Sequence, residues 1–116
     1  MSDVVIYHNP ACGTSRNTLA LLRENGVEPQ VVEYLKAGWT KAQLEALFKQ
    51  MGVGARDALR TQGTRAEELG LTAAGATQAK IIAAMVAEPI LVQRPIVRTP
   101  KGAALCRPPE RVLPLL

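Results

Sequence analysis

The segment VVIYHNPACGTSRNTLALL, residues 4–22, joins two hydrophobic patterns across a break that holds a cysteine. Val4 to Tyr7 is a continuous apolar run, as expected of a strand covered on both faces. Asn9-Pro10 ends that run, and from about Ser15 to Asn25 the residues Leu19, Leu21 and Leu22 recur at helical spacing. Asn25-Gly26 supplies a left-handed stop. Gln30 to Leu35, QVVEYL, reads as a second strand. Strand, helix and strand occupy about the minimum length of a βαβ unit, which predicts parallel strands with a right-handed crossover.

Outward from this unit the pattern becomes helical. Thr40 and Gln43 have capping-box spacing, and Leu44, Leu47, Phe48 and Met51 follow a helical stripe closed by Gly52. ARDALR predicts a short turn or helix ending at Arg60, and Thr64 with Glu67 repeats the capping pattern. A helix is predicted from Thr77 with Ile81, Ile82, Met85 and Val86 inward, ended by Pro89. RPIVRT and AALCRP flank the turn PKG as a hairpin would, and Pro108-Pro109 before ERVL suggests a short closing helix. The order predicts one α/β domain over residues 1–116. It has a mixed sheet of about four strands and a helical insertion at about residues 40–88.

Composition narrows the function. No apolar run reaches membrane-spanning length, and the start Met-Ser-Asp lacks the marks of a secretory signal, so a cytoplasmic location is expected. The net charge of +4 is spread over scattered lysines and arginines, with few aromatics to stack on bases, which argues against nucleic acid as partner. Cys12 and Cys106 are expected as reduced thiols, and with a single histidine they offer no metal site.

Cys12 stands immediately before a helix whose first N–H groups have no partners within it. Those donors and the helix dipole favour an anion, either a thiolate or a bound oxyanion. Gly13 permits close approach of a ligand, and Thr14 or Ser15 can cap the helix or hydrogen-bond the sulfur. A protonated His8 close to the sulfur would add to the same shift. Against this stands the ordinary role of free cysteines as packing residues, which is also the expectation for Cys106. Ser15 stands where a C-x-x-C oxidoreductase carries its second cysteine, and Thr18 where a cysteine phosphatase loop carries its arginine. A nucleophilic Cys12 therefore needs a resolving thiol from another molecule.

YHNPACGTSRNTL resembles the active-site segment of the glutaredoxin-type arsenate reductases. The likeness continues through ALR ending at Arg60, RPIV starting at Arg94 and LCRP containing Arg107, in the family's order. The resemblance implies a thioredoxin-like fold with an inserted helical segment, and a cis-proline at Pro95 beside the cysteine. It implies Cys12 as the nucleophile that forms a thiol–arsenate adduct. Arg60, Arg94 and Arg107 would bind the oxyanion, and His8 and Ser15 would hold the thiolate. Glutathione, as co-substrate, would displace the adduct, and glutaredoxin would reduce the mixed disulfide, leaving arsenite. No metal or bound organic cofactor is implied.

Arginine suits this task, being permanently charged and able to present two donors to two oxygens of one anion. Two other readings keep the fold. A glutathione-dependent thiol oxidoreductase has no need of three cations. A redox-sensing transcription adaptor relies on the C-x-x-C pair that Ser15 breaks.

Overall fold

In the computed structural model, which describes residues 3–116, the sheet is built outward from β1, Val5–His8. All four of its residues are buried, as its central place requires. β2 (Gln30–Glu33) lies parallel on one side, with Val5 opposite Gln30 and His8 opposite Glu33. On the other side β3 (Ile96–Thr99) is antiparallel to β1, and β4 (Gly102–Leu105) pairs antiparallel with β3. The order β2-β1-β3-β4 is the mixed four-stranded sheet expected from the sequence.

α1, Gly13–Glu24, links the two parallel strands. It begins two residues earlier than its leucine spacing suggests, so Cys12 is itself the N-cap, with extended φ −96° and ψ 121°. Its buried positions are Ser15, Thr18 and Leu22, while Leu19 and Leu21 are only half-buried. Two hydroxyl residues on a buried face are tolerable because both are bonded. Thr18 Oγ1, for example, donates to the Thr14 carbonyl at 2.8 Å. Gly26 takes the left-handed turn after the helix at φ 78°.

Two compact units divide the chain: Met1–Ala37 with Arg94–Leu116, and Gly38–Gln93. The first holds the sheet. Its core joins Ile6 and Val97 from the strands to Leu22 of α1, Cys106 and Val112. Cys106 lies just beyond β4 and not within a strand, but it packs as expected. The closing segment Pro109–Leu115 is a 3-10 helix that packs on α1 and the hairpin, and Thr99 Oγ1 donates to its Leu115 carbonyl at 2.8 Å.

β2 stops at Glu33, short of the Leu35 expected. β1 ends opposite Glu33, so the chain has no further ladder partner. It coils into the single helical turn α2, Tyr34–Ala37, which buries Tyr34.

In the second unit α3, Lys41–Met51, opens with the expected capping box. The Gln43 N–H donates to Thr40 Oγ1 at 3.1 Å, and Leu44, Leu47 and Phe48 are buried. A 3-10 turn at Ala55–Ala58 leads into an antiparallel bridge between Leu59 and Val92. α4, Gln78–Ala87, buries Ile81, Ile82 and Met85 and packs on α3. Val86, expected inward, is exposed, because it falls one step beyond that stripe.

The capping pattern at Thr64 starts no helix. Thr64 Oγ1 accepts from the Ala66 N–H and donates to the Arg60 carbonyl, fixing a turn instead. Among the described residues no helix is long and apolar enough to cross a membrane.

Candidate active site

The loop between β1 and α1 is tied at several points. The Cys12 N–H donates to the Asn9 carbonyl at 3.0 Å, and the Arg16 N–H donates to the Cys12 carbonyl at 3.0 Å, which starts α1. The Ala11 N–H donates to Asn9 Oδ1 at 3.0 Å, and Arg16 Nη1 donates to the Pro10 carbonyl at 2.8 Å. These bonds hold the Cys12 side chain at the mouth of the helix, only 8% exposed.

Among the described residues the Cys12 side chain makes no capping hydrogen bond. Its surroundings favour the anion. Burial, the largest single influence, pushes the thiol pKa up. The Ser15 N–H, the Arg94 guanidinium through both a hydrogen bond and its charge, and the Thr14 N–H together outweigh that. The thiol therefore sits below its ordinary value.

Arg94 reaches the same place from the segment leading into β3, one residue before Pro95 and two before the strand. It is 8% exposed, and its Nε and Nη1 are buried with no hydrogen-bond partner among the described residues. A buried guanidinium with unmet donors is a costly arrangement, and it fits an anion that completes the set. Arg107 is exposed and turns back so that Nη1 donates to the Arg94 carbonyl at 3.3 Å. The Arg94–Pro95 and Arg107–Pro108 peptide bonds are both cis, the first at the position the family resemblance marks.

His8 and Ser15 meet at 2.6 Å, Nδ1 to Oγ, both buried. Burial, ahead of the nearby Arg16 and Arg23 charges, lowers the His8 pKa against the opposing pull of Glu33. The lowered pKa disfavours the positive charge considered for the ring from the sequence. Ser15 reaches the sulfur through its backbone N–H, while its hydroxyl faces His8.

The structure thus brings Cys12, Ser15, His8 and Arg94 together in the first unit, and Arg107 is tied to the Arg94 carbonyl. Arg60 belongs to the second. There its Nε donates to the Gln62 carbonyl at 3.0 Å and its N–H to the Leu91 carbonyl at 2.8 Å. Sequence reasoning passed over Asn9, which is buried in the loop; an Asn two residues before an N–H in a turn was the available signal. Among the described residues no three His, Cys, Asp or Glu side chains group as a metal site.

The two cysteines should differ sharply in reactivity. The Cys106 thiol is pushed up to about 12, mainly by burial, so it stays protonated where Cys12 ionises. At pH 7 iodoacetamide is expected to modify Cys12 and spare Cys106 in the folded protein, read by peptide mass mapping. Equal labelling would contradict the assignment of charge.

A cysteine at the N-terminus of α1 and the β2-β1-β3-β4 order, shared with solved neighbours, make this a thioredoxin-like protein. Within that class the chain belongs to the ArsC family, which residues 7–115 match. It is 58% identical to the arsenate reductase ArsI2 of Synechocystis over 97% of this chain and 81% of that protein. It is 48% identical to the arsenate reductase of Escherichia coli K12 over 100% and 82% of the two chains. The solved arsenate reductase of Vibrio cholerae superposes with a TM-score of 0.93 at 41% identity, covering 97% of each chain.

Proposed function

We propose that this protein reduces arsenate to arsenite, with Cys12 as the nucleophile and glutathione and glutaredoxin as electron donors. The observation that carries the reading is the pairing of an acidified Cys12 thiol with a buried Arg94 whose Nε and Nη1 lack partners. Relatives named arsenate reductases at 48–58% identity supply the substrate.

In this mechanism the Cys12 thiolate attacks arsenic(V). A sulfur–arsenic bond forms, and one arsenate oxygen leaves as water. Glutathione thiolate then attacks the Cys12 sulfur, forming a disulfide. The breaking sulfur–arsenic bond leaves its electron pair on arsenic, which departs as arsenite. A glutaredoxin thiol takes up the glutathione half and releases the Cys12 thiolate.

Arg94 and Arg107 offset the negative charge that would otherwise keep thiolate and arsenate apart, and Arg94 steadies the charge developing on the oxygens. His8 acts through Ser15: the hydrogen bond between Nδ1 and Oγ fixes the first turn of α1, whose N–H groups serve the sulfur. The family resemblance also assigns Arg60 to the oxyanion. A cytoplasmic site of action follows from the need for reduced glutathione.

The decisive assay couples arsenate, glutathione, glutaredoxin, glutathione reductase and NADPH. Arsenate-dependent NADPH oxidation is expected; its absence with every component active sinks the reading. In the same assay Arg60→Ala is expected to lower turnover while leaving the circular dichroism spectrum unchanged. A loss of folded signal would make Arg60 a structural residue.

A further inference from the structure

Asn9 has no part in the scheme above, yet it is 5% exposed and makes three hydrogen bonds around Cys12. Its carbonyl accepts the Cys12 N–H at 3.0 Å. Its side-chain Oδ1 accepts the Ala11 N–H at 3.0 Å, closing a turn over Pro10. Its own N–H donates to Ser15 Oγ at 3.0 Å.

We propose that Asn9 is a positioning residue whose side-chain amide oxygen sets the place of the Cys12 sulfur. Its backbone N–H on Ser15 Oγ at 3.0 Å ties the same turn to the first turn of α1, where Ser15 Oγ and His8 Nδ1 meet at 2.6 Å.

The effect follows from geometry. Pro10 holds its preceding residue in the extended region, and the Oδ1 bond closes the turn that delivers Cys12 to the N-cap. Release of that bond lets residues 10–12 relax, and the sulfur then drifts from donors that act only at short range.

The inference rests on the reading of Cys12 as nucleophile, but its test does not need arsenate. Alkylation of Cys12 by iodoacetamide at pH 6.5 reports the thiolate directly. Asn9→Ala keeps the backbone bonds and loses the Oδ1 acceptor. It is expected to slow alkylation by roughly tenfold, the scale of one lost hydrogen bond, and to lower kcat more than it raises KM. Asn9→Ser retains a weaker acceptor for the N–H two residues on and should recover part of both.

A folded Asn9→Ala protein that alkylates at the wild-type rate would overturn the proposal, as would Asn9→Ser proving no better than Asn9→Ala. If Asn9→Ala does not fold, Asn9→Leu, which also lacks the acceptor, takes its place, and wild-type alkylation in that folded variant overturns the proposal. A wild-type protein inert toward arsenate would sink the functional reading and leave the alkylation comparison standing.

Discussion

Cys12→Ser is expected to abolish arsenate-dependent NADPH oxidation, a fall of about a thousandfold or more. Two separate steps fail. A serine hydroxyl does not ionise near neutral pH, and the Arg94 charge and two helix N–H groups that suffice for a thiol are far too weak to ionise it. Even an oxygen–arsenic ester would be a dead end. Reduction requires glutathione to attack the bridging sulfur and leave an electron pair on arsenic, and oxygen offers no equivalent of the disulfide. The fold should survive the change. Cys12 occupies the N-cap of α1 without a side-chain cap, and serine is among the best residues for that place. Thermal unfolding at or slightly above the wild-type midpoint, together with an inactive enzyme, is the expected pair of results. Retained full turnover would remove the mechanism.

The neighbourhood of Cys12 was legible because the sequence carries it locally. A β-branched run, an Asn-Pro break and a helical pattern are enough to place the cysteine at a strand-to-helix joint. The sheet followed for the same reason, since VVIY, QVVE and PIVRT carry β-branched runs and PKG marks the hairpin turn before AAL. What was not legible depended on partners distant in sequence. Leu35 left β2 because β1 has no residue to pair with it, and Val86 turned outward because the stripe on α4 is narrower than its apolar residues. Thr64 has the spacing of a cap but bonds two residues on, and only geometry decides between those outcomes. The charge of His8 was hidden likewise, because it depends on burial and on the charges of Glu33, Arg16 and Arg23.

Arg94→Ala should separate stability from function. Each unmet buried donor costs about 1–3 kcal/mol, and Arg94 carries two such nitrogens, Nε and Nη1. Its hydrogen bond to Cys12 serves the thiolate, and the two unmet donors add a cost, so Arg94→Ala is expected to unfold no more easily than the wild type in urea. Activity should move the other way. The variant loses the cation that favours the thiolate and the donors that meet the arsenate oxygens, so kcat/KM is expected to fall by roughly a hundredfold or more. Alkylation of Cys12 should slow as its pKa rises: the stabilised thiolate persists above a lowered pKa, and removing the cation moves that threshold upward. Arsenate should raise the unfolding midpoint of the wild type by binding the folded state, and that shift should vanish in the variant. Arg94→Lys should restore the charge but not the fork, giving partial rescue of alkylation and little of kcat/KM. A destabilised Arg94→Ala protein with near-normal kcat/KM would show instead that the guanidinium serves the fold and that the oxyanion is bound elsewhere.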